Sequence, residues 1–354
     1  MTYDDLPARQ PRIPYQRLTD AGKLRRLREI AVDAVAQYDL TDPRIDYFGW
    51  ATNLMYKVTT RTGERYMLRL ASPGWRTLDD LRSEAQWVNA LARDTRIPVP
   101  GVVPTRQGAL VQTIGHPGVP EDRNITLMTW VPGRLLAHNL SETNLAKMGE
   151  LFAAMHYHGA RWVPPPGFTT RRFEHWLSRG EECLIVSRSE THAETPTSPA
   201  VQALPQAVRT LLDRLHVHVE DAYAAVDPTD LRVIHCDLWH ENIKVRRGVL
   251  RPFDFEDTVW GFRAHDIAMA MLDLLETTGE ERYEQLLAAF RQGYEASMAW
   301  PSDPIEPFQI GRLLWKFNWF ARRRPQRLSG VIDQHLVLLQ HYLSTGRVMR
   351  PPAL

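Results

Sequence analysis

Residues 233–245, VIHCDLWHENIKV, contain two histidines, two acids, an asparagine and a cysteine in a stretch that otherwise has the apolar pattern of a buried strand. Polar side chains are costly to bury unless they are hydrogen-bonded or used in a site. Asn242 follows Asp237 by five residues, and FDFED places Asp254 seventeen residues after Asp237, at the end of a second predicted strand. Two carboxylates and an amide oxygen from neighbouring strand ends predict a site for a hard cation such as Mg²⁺. A carboxylate beside that metal can accept the proton of a hydroxyl nucleophile, as in phosphoryl transfer from ATP.

The same stretch allows a second interpretation, in which His235, Cys236, Asp237 and His240 are zinc ligands. Adjacent residues of a strand point to opposite faces, which makes a shared ligand set hard to build from these positions. The sequence also has no second cluster of Cys and His at the spacing of zinc ligands. We therefore interpret His235 as a structural hydrogen-bonding residue.

The elements that must position these residues fall into two groups. The first group is rich in strands and comes early in the chain. Residues 47–71 predict two strands joined by a hairpin at Thr62-Gly63, and Thr77 is a plausible N-cap for a helix over 77–94. A helix over 21–40 precedes them, and strands over 109–114 and 124–131 follow, so we expect a small antiparallel sheet with helices.

The second group is mainly helical and surrounds the polar stretch, which continues into a short hairpin over 243–255. Apolar spacing predicts helices over 141–160, 173–187, 201–226, 265–276, 280–298, 306–323 and 331–345. The predicted fold class is α+β, with a small antiparallel N-lobe, a larger and mainly helical C-lobe, and a cleft between them. We assign residues 1–22 to a leader, 23–131 to the nucleotide-binding N-lobe and 132–354 to the catalytic and substrate-binding C-lobe.

Composition excludes several classes of function. With 43 basic and 42 acidic side chains the net charge is +1, so no global field draws the chain to nucleic acid or to a membrane surface. Apolar runs are far shorter than a membrane span, and the N-terminus has no signal-peptide core. Two cysteines give no disulfide framework and favour a reducing, cytoplasmic location. Nothing in the sequence specifies the oligomeric state.

The polar stretch and its partner motif also resemble a known family. HCDLWHEN followed by FDFED resembles the catalytic loop and metal-binding motif of protein kinases. The pair is closer still to the aminoglycoside phosphotransferase/choline kinase-like family, which has a two-lobed protein-kinase-like fold. The segments YMLRL, SEAQWVNAL, TLMTWVPG, MGELFAAMH and GFRAHDIAMAM follow in the order of that family, so the resemblance covers about residues 45–275.

The resemblance implies a role for each matching residue. Asp237 is the catalytic residue, which positions the substrate hydroxyl and accepts its proton, while Asn242 and Asp254 hold Mg²⁺. The implied nucleotide-binding residues are Gly49 and Asn53 in a phosphate loop, Arg69 and its partner Glu84, and the adenine-contacting backbone of Thr129, Trp130 and Val131. The implied donor is ATP, with GTP as an alternative, and the implied acceptor is a small-molecule hydroxyl. Asp266 is expected to brace the catalytic loop through hydrogen bonds.

Three features depart from the family pattern and keep other functions open. Arg69 stands where the family has lysine, Cys236 stands where it has glycine, and the phosphate loop contains a single glycine. Arginine keeps the cation but not the geometry of lysine. One alternative is a protein serine/threonine kinase of the same fold, and another is a nucleotide-binding protein that has lost catalysis. The mixed charges of residues 171–194 do not identify the acceptor.

One helix has an unusual density of aromatic residues, with Trp315, Phe317, Trp319 and Phe320 within six positions. Large apolar side chains at helical spacing usually pack in a core. We therefore predict a core helix, with the wall of a substrate pocket as the alternative.

Overall fold

The computed structural model describes residues 13–177, 182–186 and 198–349. These residues form two compact units, which are described separately. The first comprises the described residues of Met1–Pro132 together with Pro164–Thr169, and the second those of Gly133–Val163 and Thr170–Leu354. Residues 1–12 of the predicted leader lie outside the described residues. After them come a 3-10 helix at Tyr15–Arg17 and then α1, which begins at Asp20, inside the predicted leader.

The first unit contains an antiparallel sheet of six strands. Their bounds are β1 Arg44–Trp50, β2 Leu54–Thr59, β3 Arg65–Leu70, β4 Val102–Val103, β5 Gln112–His116 and β6 Val119–Thr129. The strand order is β1-β2-β3-β6-β4, with β5 also paired to β6. The predicted hairpin is present between β2 and β3, where Gly63 has a φ of 88°. Residues 44–70 form three strands rather than the predicted two, because a short turn folds β1 back onto β2, with Trp50 opposite Leu54.

Two helices, α1 (Asp20–Val35) and α2 (Leu78–Asp94), complete this unit. Thr77 caps α2 as predicted: its hydroxyl accepts from the Asp80 amide, and the Asp80 carboxylate accepts from the Thr77 amide. This reciprocal pair satisfies donors that the first turn of a helix leaves open. The apolar side chains of α1, such as Leu27 and Ile30, form one core cluster with the buried residues of the sheet.

The second unit is mainly helical. Its elements are β7 Arg134–Leu135, α3 Glu142–Arg161, β8 Arg172–Phe173, α4 Pro199–Gln202, α5 Gln206–Ala225, β9 Arg232–Ile234, β10 Ile243–Arg246, β11 Val249–Pro252, β12 Val259–Gly261, α6 Arg263–Thr278, α7 Glu280–Glu295, α8 Glu306–Arg323 and α9 Leu328–Thr345. The strands form two small sheets, ordered β11-β10-β7 and β8-β12-β9. Within the described parts of both units, no helix is long and apolar enough to cross a membrane.

The helix predicted over 173–187 is wrong wherever the structure describes that segment. Phe173 lies in β8 and pairs with Gly261 of β12, and residues 182–186 are not helical. A side chain from a distant element binds this stretch, since the side-chain oxygen Oδ1 of Asn318 accepts a hydrogen bond from the Leu184 amide at 2.7 Å. Tertiary hydrogen bonds have therefore overridden the local helical pattern. Residues 178–181 and 187–197 lie outside the described residues.

The helices α3 and α7 pack backbone against backbone at two glycines. A Cβ added to Gly149 would lie 1.9 Å from the Phe290 carbonyl oxygen, and one added to Gly293 would lie 1.8 Å from that of Ala146. Neither position can hold a larger residue without moving a helix. This close packing fixes α3, which carries His156 towards the site described next.

Candidate active site

The loop that joins β9 to β10 carries the predicted catalytic residue Asp237 and the predicted metal ligand Asn242, and His235 organises its start. The Asp237 amide donates to His235 Nδ1 at 3.3 Å, and His235 Nε2 lies 3.2 Å from the Phe253 carbonyl oxygen. Burial lowers the pKa of His235 below its ordinary value, so the ring is neutral and Nε2 carries the donated proton. His235 is therefore the structural hydrogen-bonding residue that we predicted. With both ring nitrogens engaged, it offers no lone pair to zinc.

Cys236 adopts the backbone conformation of a glycine. Its φ is +65°, in the left-handed region that non-glycine residues rarely occupy, and its side chain is buried. The Cys236 amide donates to Asp266 Oδ1 at 2.7 Å, and its Sγ lies 3.5 Å from His265 Nε2. Cys236 therefore has the backbone conformation that a glycine would adopt at this position.

A buried network anchors this conformation. Asp266 of α6 accepts from the Cys236 amide through Oδ1, and its Oδ2 lies 2.9 Å from His156 Nε2. The second nitrogen of His156 contacts the Tyr294 hydroxyl at 2.9 Å. Burial raises the pKa of the Asp266 carboxyl, but the hydrogen bonds from His156 and from the Cys236 amide outweigh it and hold that pKa below its ordinary value. Asp266 thus braces the catalytic loop as an ionised carboxylate, as predicted.

Asp237 and Asn242 are in contact within this loop, and Asp254 follows Phe253, whose backbone binds the loop just after β11. Asn242 Nδ2 donates to the Asp237 backbone carbonyl at 2.8 Å and to Asp237 Oδ2 at 3.0 Å. The Phe253 amide donates to the Asn242 carbonyl at 3.0 Å, while its own carbonyl is bound by His235. Phe253, the residue before Asp254, is therefore hydrogen-bonded to both ends of the loop. Asp254 itself is exposed and has a φ of +64°.

These side chains fit a hard divalent cation by their donor atoms. The nitrogen of the Asn242 amide makes both contacts to Asp237, so the atom that a cation would meet is the amide oxygen. The carboxylate of Asp254 is exposed to solvent and can supply charged oxygen atoms. Carboxylate and amide oxygens are ligands that Mg²⁺ accepts, usually together with waters and substrate phosphates.

In the first unit, Arg69 and Glu84 form a buried ion pair. Arg69 Nη1 donates to Glu84 Oε1 at 3.1 Å and Nη2 donates to Oε2, so the contact is bidentate. The two side chains are only 6% and 1% exposed. A fork-to-carboxylate pair fixes the guanidinium plane more tightly than a lysine would be fixed. The pairing that the resemblance implies is present, and the phosphate contact of Arg69 stays a prediction.

The proposed phosphate loop lies at the turn between β1 and β2. Gly49 follows an irregularity in the β1–β2 register, and a Cβ added there would meet nothing within 4 Å. Asn53 is buried, and its side-chain oxygen accepts from the Ser72 amide at 3.1 Å. Asn53 therefore fastens this turn to the chain just after β3.

The proposed adenine-contacting backbone lies at the end of β6. The Thr129 amide donates to the Gly101 carbonyl at 2.8 Å, and the Trp130 amide donates to the Arg65 carbonyl at 3.0 Å. Both amides are thus already used within the unit, and these two residues could contact adenine only through other atoms. Val131 follows directly after them at the end of this unit.

Sequence reasoning missed Arg312 of α8. Its Nη2 lies 3.5 Å from Asp237 Oδ1, and its guanidinium stacks over the Trp315 ring at 4.7 Å from the centroid. Arg312 and Trp315 line a narrow pocket, together with Phe173, Trp176, Tyr223, Cys236, His265, Met269 and Gly311. The available signal was Arg312 within the largely apolar run IGRLLWKF, which also contains Lys316. The aromatic helix packs in the core as predicted, since Phe317 is fully buried, and Trp315 lines this pocket. That the pocket binds substrate stays a prediction.

Comparison with known proteins agrees with this geometry. The sequence profile of the phosphotransferase enzyme family matches residues 48–300. An uncharacterized protein of Synechocystis sp. is 30% identical over 264 residues, which span 73% of this chain and 67% of that protein.

Solved structures share the fold at lower sequence identity. A microcompartment-associated aminopropanol kinase is 20% identical with a TM-score of 0.72, over 90% of this chain and 98% of that one. An amicoumacin kinase in complex with AMP-PNP and Ca²⁺ is 17% identical with a TM-score of 0.73, over 94% and 98% of the two chains. A choline/ethanolamine kinase family protein from Mesorhizobium loti is 17% identical with a TM-score of 0.58, over 91% and 95%. The predicted α+β, protein-kinase-like fold class is confirmed. Because the family profile covers most of the chain, the protein belongs to the phosphotransferase enzyme family and is a phosphotransferase, as its paired motifs predicted.

Proposed function

We propose that this phosphotransferase moves the γ-phosphate of ATP, in the presence of Mg²⁺, to a hydroxyl group of a small molecule. The observation that carries the proposal is the setting of Asp237. One of its carboxylate oxygens is held by Asn242 at 3.0 Å, and the side chain remains 26% exposed. A carboxylate that is oriented by a hydrogen bond and remains partly exposed is suited to accept the proton of a bound hydroxyl.

Each remaining site residue has a proposed part in this reaction. Asn242 and Asp254 would hold Mg²⁺, which supplies positive charge beside the phosphate oxygens when it is bound. Arg69, oriented by Glu84, would bind phosphate oxygens of the nucleotide. The turn from Gly49 to Asn53 would cover the phosphates. The backbone of Thr129, Trp130 and Val131 would contact the base, with GTP as an alternative donor to ATP.

The proposed acceptor is small because of the pocket beside Asp237. Aromatic side chains and Arg312 enclose a narrow space that also reaches Cys236, the neighbour of Asp237. Kinases of aminopropanol and of amicoumacin, both small molecules, share the fold. Two free cysteines are compatible with the reducing cytoplasm, where we propose that the protein acts.

Nucleotide binding is the first test. Calorimetry with ATP and with GTP, each with and without Mg²⁺, should show binding that the metal strengthens. A screen of hydroxyl compounds, read as ADP release, should then identify the acceptor. Absence of metal-dependent binding of either nucleotide would contradict the proposal.

Two substitutions separate the roles of the carboxylates. Asp237→Asn should leave nucleotide binding nearly unchanged and lower turnover by about 10²–10⁴-fold, the scale for a lost proton acceptor. Asp254→Asn should instead weaken the metal dependence, so that excess Mg²⁺ restores part of the rate. Glu241→Gln is a matched control, since Glu241 is an exposed acid in the same loop. Equal effects of all three substitutions would show that only loop charge matters.

The same assays decide between the alternatives. Transfer of phosphate to a generic protein, without transfer to any hydroxyl compound, would favour a protein serine/threonine kinase. Nucleotide binding without turnover, in both the natural chain and an Arg69→Lys variant, would favour a binding protein that has lost catalysis.

A further inference from the structure

Arg312 lies against the catalytic carboxylate although 75 positions separate it from Asp237. The Arg312 Nη2 to Asp237 Oδ1 distance of 3.5 Å is at the long limit of a hydrogen bond. Asp237 Oδ2 is held more closely by Asn242, at 3.0 Å. The guanidinium therefore lies beside Oδ1, the carboxylate oxygen other than the one that Asn242 binds at 3.0 Å.

The guanidinium is also held in place before any substrate arrives. It stacks on the Trp315 ring with 4.7 Å from Cζ to the centroid, and its side chain is 22% exposed. Stacking restricts the rotamers of a side chain that otherwise has many. An arginine has five N–H donors, and the contact to Asp237 uses one nitrogen. The remaining donors are the type that bind phosphate oxygens as a fork.

We propose that Arg312 is a further catalytic residue of this protein, and that it binds the phosphoryl group as that group passes to the hydroxyl held at Asp237. This inference rests on the function proposed above. In the step, the acceptor oxygen bonds to the γ-phosphorus, and the bond from that phosphorus to the bridging oxygen breaks. ADP leaves with the electron pair, and the hydroxyl proton goes to Asp237 Oδ1. Arg312 offsets the negative charge that arrives beside a carboxylate.

Two other roles for Arg312 predict different effects of its substitution. A purely structural partner of Asp237 would affect folding and nothing specific to the phosphoryl group. A binder of an anionic group on the acceptor would affect acceptor binding, while the complex formed without acceptor would be unchanged. A probe of the phosphoryl group alone, in the absence of acceptor, therefore separates the three roles.

The experiment uses ADP, Mg²⁺ and aluminium fluoride, which occupies the position of a phosphoryl group in transfer. Calorimetry measures the affinity for ADP and Mg²⁺ with and without aluminium fluoride, in the full chain and in Arg312→Gln and Arg312→Lys variants. Arg323→Gln is the matched control, because Arg323 is an exposed arginine of the same helix. Thermal unfolding of each protein verifies that it is folded.

We expect aluminium fluoride to tighten ADP binding in the natural chain and in the Arg323→Gln variant. Arg312→Gln should lose about 10²-fold of that gain, the scale for one donor to a transition-state oxyanion. Its affinity for ADP alone should stay within about two-fold, and Arg312→Lys should recover part of the gain.

Two results would overturn the inference and leave the proposed function standing. One is a natural chain that binds ADP and Mg²⁺ but gains nothing from aluminium fluoride. The other is an Arg312→Gln variant whose gain equals that of the Arg323→Gln control. A natural chain that binds no nucleotide at all would overturn the proposed function and this inference together.

Discussion

Replacing Cys236 by glycine should cost about as much stability as replacing it by alanine, although glycine is usually clearly the less stable of the two at a buried position. The reason is the φ of +65° at this position. Left-handed backbone costs a residue with a Cβ atom about 1–2 kcal/mol, and glycine is spared this cost. Glycine has more freedom to lose on folding, which removes about 0.5–1 kcal/mol of that advantage.

Alanine also keeps one buried methyl group that glycine lacks, worth about 0.8 kcal/mol, so the free energies of unfolding of Cys236→Gly and Cys236→Ala should agree within about 0.5–1 kcal/mol. Both variants lose the buried Sγ atom and its contact with His265, so that loss cancels in the comparison. The hydrogen bond from the residue 236 amide to Asp266 is retained in both, because it uses the backbone. The two variants therefore differ only in the backbone freedom of residue 236 and in one buried methyl group.

Urea unfolding followed by tryptophan fluorescence measures this difference. Ala268→Gly is the matched comparison, since Ala268 is buried inside α6 and has a helical backbone. There glycine should lower the unfolding free energy by about 1–2 kcal/mol, from propensity and one lost methyl group. If Cys236→Gly is less stable than Cys236→Ala by as much as glycine is less stable than alanine at position 268, the left-handed backbone is not a cost at position 236 and the reasoning is refuted.

Three further predictions concern packing, the loop anchor and pH. Gly149→Ala should lower the free energy of unfolding by at least about 3 kcal/mol, because the added Cβ would overlap the Phe290 carbonyl. Gly330→Ala in α9, where the added Cβ meets open space, should raise it by about 0.5–1 kcal/mol. Thermal unfolding of the two variants compares these effects. Asp266→Ala should cost about 3–5 kcal/mol in urea unfolding, since it leaves a buried amide and an imidazole without their partner, and a loss below about 1 kcal/mol would contradict the bracing role. Burial, with the nearby charges of other acids, raises the pKa of Asp273 to about 7, so the folded state binds more protons than the unfolded state between about pH 4 and pH 7 and stability falls as pH rises through that window. Asp273→Asn should therefore stabilise the protein at pH 8, change it little at pH 4 and flatten the dependence between them; an unchanged pH profile of unfolding would contradict this.

The regular elements could be predicted because local signals specify them. Thr77 and Asp80 form a capping box, and the helix they begin ends at Asp94, as its apolar spacing indicated. The helix predicted over 306–323 has those bounds in α8. In such segments the caps and the apolar stripe agree, so local sequence is sufficient.

Elements that depend on distant partners were not predictable in the same way. Residues 173–187 have helical spacing, yet Phe173 pairs in a sheet with Gly261 and Leu184 is bound by Asn318. Arg312 reaches Asp237 only because α8 packs beside the loop, and nothing local in either segment records that contact. Helical spacing alone could identify neither partner. Sequence motifs identify the residues that share a chemical step more readily than the residues brought to them by packing.

The strain in the site bears on whether the departures from the family pattern weaken the enzyme. Cys236 and Asp254 have φ values of +65° and +64°. Cys236 precedes the proposed catalytic residue Asp237, and Asp254 is itself a proposed metal ligand. Such backbone persists only where surrounding contacts determine it. Here Asp266 binds the Cys236 amide. Phe253, the residue before Asp254, is hydrogen-bonded to His235 and to Asn242. The network that would hold a glycine in this conformation thus holds a cysteine in it, so Cys236 gives no reason to infer lost catalysis. That question turns instead on Arg69, whose buried bidentate pair with Glu84 keeps a cation at the position where the family has lysine.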